Sequence, residues 1–309
     1  MEYELEKYFE TEIEEEENIS RVTKEGKHIL TVINQHDLDH GGNFVEVTGS
    51  QGSGKTSAML GLMSYTMQHH SEEKVFWSSS YDAPLQFIKI GQNKKEIFER
   101  CNFLVLKDSG VTFHDRLDDG NHVKDIKPIY FEIKEKDDIM DFSDLYDKAE
   151  PGKVNAVFFG DRYLWMDYIH WLRRVYDWIH IYIDEFGEVC PSDQAGKMYK
   201  RIRDFAETAK EVRKCNMNVF INTQSATDID YRVRKKLMIK IFLPGSKADA
   251  QSRVKQRAID NLQRDKERGN QAYIDIGGVF GRIRFSQIFK PNMHISWEAR
   301  KDVKVQNNN

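Results

Sequence analysis

The chain has 309 residues, 39% of them hydrophobic and 12% aromatic, enough to build a sizeable core. Its three cysteines (Cys101, Cys190, Cys215) are widely spaced, without a C-x-x-C pair or a nearby histidine cluster, which excludes a disulfide framework and a zinc ribbon. No apolar run approaches the roughly 18 to 20 residues of a membrane span, and the amino terminus is acidic where a secretory signal would be basic, so the reading is an intracellular, soluble protein.

The net charge of −4 conceals an asymmetry. Residues 1–20, within an acidic N-terminal segment drawn as 1–40, carry nine glutamates and are read either as a solvated leader or as an arm that covers a basic surface. Between Lys197 and Arg268 there are 19 Lys/Arg against 9 Asp/Glu. That excess suits a surface facing a polyanion, although surface helices are often charged for no such reason.

The predicted elements begin with a buried strand, Asn43–Thr48, followed by Gly49-Ser50-Gln51-Gly52-Ser53-Gly54-Lys55-Thr56 and a helix over Ser57–Gln68. The loop matches every fixed position of the phosphate-binding pattern G-x-x-x-x-G-K-[ST], in the strand–loop–helix frame that pattern requires. Its glycines turn consecutive N–H groups toward phosphate and Lys55 reaches the β/γ oxygens. Thr56 ligates Mg²⁺ at the positive end of the helix, where Ser57 completes the cradle. ATP and Mg²⁺ are the implied ligands.

Lys74–Ser80 reads as a strand, Pro84–Arg100 as a helix and Asn102–Lys107 as a strand. Residues 108–150 form an acid-rich insertion whose clearest strand is Pro128–Lys134. Val154–Phe159 reads as a strand and Asp161–Tyr176 as a helix. Trp165, Tyr168, Trp171, Leu172 and Trp178 are assigned to packing rather than to base stacking. His69 and His70 are read as structural at a helix end, and His36, His40, His114 and His122 as loop residues.

Ile179-His-Ile-Tyr-Ile-Asp184-Glu185 is an apolar run ending in adjacent carboxylates. In a parallel sheet such an end lies beside the ligand, so Asp184 is expected to hold the Mg²⁺ shell and Glu185 to polarise an attacking water. A helix over Ala195–Lys214 precedes the strand Asn218–Gln224. Gln224 is either a γ-phosphate sensor or the start of a turn, with Asn222 and Thr223 as weaker candidates. Two strand-like runs, Gln271–Ile276 and Val279–Ser286, flank Gly277–Gly278 as a hairpin, and 291–309 reads as a tail.

The loop, the I-Y-I-D-E strand end and the block Ala206–Gln224 together resemble the FtsK/HerA superfamily of ring-forming DNA-pumping ATPases over roughly residues 43–245. The block also resembles the assembly ATPases related to zonula occludens toxin. The resemblance implies an α/β P-loop NTPase domain over 41–290, with a central mostly parallel sheet flanked by helices and a C-terminal β-hairpin. It further implies a homo-oligomeric, hexameric ring that hydrolyses ATP and moves double-stranded DNA. As a virus or mobile-element packaging ATPase it would engage a capsid or portal protein, in host cytoplasm or virion. The alternatives are an assembly or secretion ATPase acting on a protein substrate and a nucleotide-dependent scaffold that binds ATP but turns over very slowly.

Arg213 precedes the strand that ends in Gln224, so it belongs near the amino edge of the sheet, about 23 Å of strand away from the phosphates. In a head-to-tail ring it would serve a neighbour's nucleotide in trans, the role the resemblance gives this position; otherwise it is a surface arginine at a helix terminus. Arg201 and Arg203 are reserves. Candidate DNA contacts are Arg232, Arg234, Lys235, Lys236, Lys247, Arg253, Lys255 and Arg257.

Overall fold

The computed structural model describes residues 41–78, 85–86, 100–115, 126–136, 139–192, 194–248, 254–264, 270–276, 279–285 and 294–299. The acidic segment 1–40, most of the expected helix Pro84–Arg100, His122, Arg253, Gly277–Gly278 and residues 300–309 lie outside these ranges.

Strand β1 (Phe44–Thr48) leads through the glycine-rich loop into α1 (Lys55–His69) and then β2 (Lys74–Ser78). A two-residue strand β3 (Leu85–Gln86), β4 (Cys101–Leu106) and β5 (Val111–Asp115) follow. The acid-rich insertion supplies β6 (Pro128–Phe131), β7 (Lys134–Lys136), β8 (Ile139–Asp141) and α2 (Ser143–Lys148). Next come β9 (Val154–Phe158), α3 (Leu164–Leu172) and β10 (Ile179–Ile183). Helix α4 (Gly196–Glu211) tightens into a 3-10 turn, Val212–Lys214, before β11 (Met217–Thr223). The chain continues through α5 (Tyr231–Arg234), β12 (Ile239–Phe242), α6 (Gln256–Asp260), β13 (Asn270–Ile276), β14 (Val279–Phe285) and β15 (His294–Ala299).

Ten strands make one sheet in the order β14-β13-β12-β1-β11-β10-β2-β9-β4-β6. From β12 to β6 every pairing is parallel; β13 and β14 are antiparallel. This is the expected mostly parallel sheet with a C-terminal hairpin. Strand β11 is inserted between β1, which carries the phosphate loop, and β10, which carries the acids. Three consecutive carboxyl ends therefore converge on one edge.

The two-residue period of the strands divides the core. Val45, Val47, Tyr182 and Phe220 face α1 with Ala58, Leu62 and Met63, whereas Phe44, Ile181, Ile183, Val219 and Ile221 face α3 and α4. The α1 face is pinned by stacked Tyr182 and Phe220 rings 4.4 Å apart and by the Tyr182–Thr66 hydroxyl pair at 2.8 Å. Opposite it, Trp165, Tyr168 and Leu172 are buried and the Trp171 and Trp178 side chains are partly so, which agrees with a packing role.

Near the hairpin the core face opposite α1 carries charge. Register places Glu46 beside Lys240 and Lys240 beside Asp275, on three adjacent strands, and all three are buried. The Thr223 hydroxyl donates to Glu46 Oε1 at 3.0 Å. An apolar strand interrupted by lysine, as β12 is, has no clean period and escapes a sequence reading.

Three assignments are corrected. Leu85–Gln86, expected in a helix, are extended and pair with β15, because cross-strand pairing overrides local helical preference. His294–Ala299, within the expected tail, pairs with β5 over five residues. That small sheet docks on the main one through Phe113, whose ring meets Phe158 edge-on at 5.0 Å. Finally, the helix read over Asp161–Tyr176 is confined to α3. Asp161 Oδ1 accepts from the Tyr163 N–H at 2.9 Å, a local turn that competes with the helix.

Candidate nucleotide site

The loop Gly49–Thr56 needs glycine for separate reasons. Gly52 and Gly54 have φ of 71° and 92°, a region costly for other residues, and at Gly49 a Cβ would lie 2.3 Å from Ser53 Oγ. Helix α1 has Gly54 as its N-cap, no side-chain cap and no acidic residue in its first turn. Its first N–H groups and its positive dipole end remain available to an anion. Lys55 Nζ lies over the loop, donating to Gly49 O at 2.9 Å and Ser50 O at 3.2 Å. Burial pushes its ammonium below the usual lysine range, and the carboxylates of Asp184, Glu185 and Asp228 oppose that shift.

Thr56 Oγ1 stands 3.4 Å from both carboxylate oxygens of Asp184. Burial raises the Asp184 carboxyl to about 6, partly offset by the side-chain amide of Asn222, which donates to Asp184 Oδ1. Thr56 and Asp184 form a hydroxyl–carboxylate pair beside the phosphate cradle, an all-oxygen set that suits Mg²⁺ completed by phosphate oxygens and water. The next residue, Glu185, is left-handed at φ 53°, and its N–H donates to Asn222 Oδ1 at 2.8 Å. Asn222, fully buried, therefore fixes both acids at once.

Register sets Thr48 beside Thr223, so Gln224, exposed and one residue past β11, is level with Gly49. The turn beyond it is a capping box: Ser225 Oγ accepts from Thr227 N–H, while Asp228 Oδ2 accepts from Ser225 N–H at 2.9 Å. A Cβ on Gly187 would lie 2.9 Å from Asp228 Cβ, so the β10 and β11 loops are in contact. Asp228 was not singled out by sequence, since D-x-D in a turn is common.

The hairpin side braces the loop. Ser246 Oγ donates to Thr48 O at 2.7 Å, Ser50 Oγ to Pro244 O at 3.2 Å and Asn270 Nδ2 to Ser53 O at 2.6 Å. Arg264 Nη2 donates to Ser50 Oγ at 2.5 Å. Pro244-Gly245 is a turn signal, but nothing local in the sequence announces these contacts.

Other candidates are placed as follows. Arg213 sits in the 3-10 turn ahead of β11, at the sheet edge opposite the loop. Arg201 pairs with Asp167 at 2.9 Å and Arg203 with Asp204 at 3.0 Å. Arg232 is held by Asp230 through two bonds of 2.8 Å and lies over the Tyr199 ring. Lys235, Lys247, Lys255 and Arg257 are exposed; Arg234 and Lys236 are partly so.

The loop, the inserted strand and the acid pair at the carboxyl edge define a P-loop NTPase fold. No protein-family model matches the chain, and no curated protein matches it. Among solved structures it is similar to the genome packaging NTPase B204 of Sulfolobus turreted icosahedral virus 2 in complex with ATP-gammaS, with 11% identity over 80% of this chain and 98% of that one, at a TM-score of 0.43. It is also similar to the N-terminal domain of zonular occludens toxin from Neisseria meningitidis, at 12% identity, 76% and 84% coverage and a TM-score of 0.36. A third is a DnaB-like replicative helicase, at 13% identity, 78% and 55% coverage and a TM-score of 0.37. No helix among the described residues is long and apolar enough to cross a membrane.

Proposed function

We propose that this chain is an ATP-hydrolysing motor which assembles head-to-tail into a ring, most simply a hexamer, and drives double-stranded DNA in genome packaging by a virus or mobile element. The observation that carries the chemistry is the meeting of Thr56 with Asp184, 128 positions later, beside Glu185.

On this reading the loop N–H groups and the first turn of α1 bind the phosphates, and Lys55 exchanges its loop carbonyls for β/γ oxygens. Thr56 and Asp184 would hold a magnesium ion, which neutralises phosphate charge when bound. Glu185 accepts the proton of the attacking water, and Gln224 orients that water against the terminal phosphate. Asn222 keeps the two acids at their stations. Arg213, at the far edge of its own sheet, serves the site of the next subunit. Exposed Lys235, Lys247, Lys255 and Arg257, with Arg234 and Lys236, meet the DNA backbone without reading bases; Arg253 belongs to the same basic segment. A capsid or portal protein would anchor the ring.

The test is ATP hydrolysis by the full chain with and without duplex DNA across a salt series. Stimulation of severalfold at low salt, fading as salt rises, is expected. A rate that saturating duplex leaves unchanged in every salt condition overturns the DNA motor and favours an ATPase acting on a protein substrate.

A further inference from the structure

Two cations are bonded to one residue of the phosphate loop. Lys55 Nζ donates to the backbone oxygen of Ser50, and Arg264 Nη2, arriving from 214 positions along the chain, donates to its hydroxyl. The Ser50 hydrogen is directed to Pro244 O, so the hydroxyl is oriented to accept from the guanidinium. The approach is close: a Cβ on Gly245 would lie 2.4 Å from Ser50 Oγ and 3.6 Å from Arg264 Nη2.

The arginine is held at its root. Leu262 is buried, and Gln263 and Gln271 exchange two bonds, Gln271 N–H to Gln263 O at 3.1 Å and Gln263 N–H to Gln271 Oε1 at 3.2 Å. Its head is exposed, and among the described residues no carboxylate pairs with it. Arg264 opposes the charge on Lys55, though less than Asp184, Glu185 and Asp228 favour it, and a multivalent anion between the two cations would relieve that opposition. Lys55, the group that meets the β/γ oxygens, touches both Gly49 and Ser50, so the guanidinium shares a loop residue with the lysine that faces those oxygens.

We propose that Arg264 is a nucleotide-contacting arginine, supplied in cis, that reads the terminal phosphate of a bound triphosphate. The proposal rests on the nucleotide-hydrolase reading above, and it differs from Arg213 in belonging to the same subunit as the loop. A guanidinium offers several donors in a fixed fork, so bonding to Ser50 leaves others for phosphate oxygens.

The experiment compares wild type, Arg264→Ala and Arg264→Lys as full-length protein, measuring ADP and ATP-gammaS binding and steady-state ATP hydrolysis. For Arg264→Ala we expect ATP-gammaS affinity to fall about tenfold or more while ADP affinity stays within about twofold, as loss of one charge-assisted phosphate contact implies. Its turnover should fall by about 10² or more, in the lower reach of arginine effects in nucleotide hydrolases, with partial recovery in Arg264→Lys. Unchanged ADP affinity doubles as the folding control. Equal loss of both nucleotides, or no loss of either, overturns the proposal. So does recovered turnover on mixing Arg264→Ala with Glu185→Gln subunits, which would mean the arginine acts in trans. If wild type itself binds neither nucleotide, the nucleotide-hydrolase reading falls as well, an outcome distinct from the others because it needs no variant.

Discussion

Asn222 holds Asp184 and Glu185 together: its amide donates to the Asp184 carboxylate while its oxygen accepts the Glu185 N–H at 2.8 Å. The strand inserted between β1 and β10 thus delivers one buried amide to the two acids at the neighbouring strand end. Asn222→Leu would leave a backbone N–H and a buried carboxylate short of partners, each costing about 1–3 kcal/mol. We expect a lower urea midpoint and a drop in turnover of about 10² or more, as is typical when an acid loses its orientation. Nucleotide affinity should change far less. A variant with normal turnover would show that Asn222 has only a packing role.

Glu185, the proposed general base, also carries backbone strain. Its φ of 53° costs a non-glycine residue on the order of 1–2 kcal/mol. Glu185→Gly should therefore raise the thermal midpoint, whereas Glu185→Gln should leave it nearly unchanged. Both should lose hydrolysis while retaining nucleotide. Calorimetry paired with a phosphate-release assay separates the two effects, and a destabilised Glu185→Gly would contradict the strain.

A pH dependence follows from Asp167. Burial raises its carboxyl from 3.8 to about 6, against the pull of Arg201. A carboxyl that binds its proton more tightly when folded favours the native state below about pH 4, and that advantage is lost as pH rises through 6. The stability of Asp167→Asn minus that of wild type should climb between about pH 4 and 6.5. Two pKa units correspond to about 3 kcal/mol, reduced to about 2 because the side chain is one-quarter exposed. Urea melts across that range measure it; a flat difference would refute the burial effect.

The row Glu46, Lys240, Asp275 should be unforgiving of single changes. Lys240→Met removes the buried ammonium that the register sets beside buried Glu46 and Asp275, and a loss of about 3–5 kcal/mol is expected if the three charges are coupled. Replacing all three with apolar or neutral residues of like size should cost less than Lys240→Met alone. Chemical denaturation of the two variants decides the matter, and equal losses would argue against coupling along the row.

Sequence exposed the loop and the acids because each is a local pattern with local chemistry. The strand Ile179–Ile183 is a continuous apolar run because it is buried on both faces, and its end announces itself. In the sequence Asn222 reads only as a weaker sensor candidate, since its role depends on which strand lies beside β10. Arg264, Asn270 and Asp228 are legible only after the chain has closed on itself: nothing in the residues flanking Arg264 or Asn270 predicts a meeting with Ser50 or Ser53 across more than two hundred positions. Leu85–Gln86 went astray for the converse reason, because its pairing partner lies at the far end of the chain.

Asn270, on the first strand of the terminal hairpin, grips the carbonyl of Ser53. The antiparallel pair at the sheet margin is thereby tied to the glycine-rich loop by a side-chain bond that bypasses the core. A fragment cut after β12 loses that grip along with the hairpin, and weaker nucleotide binding by such a fragment is expected.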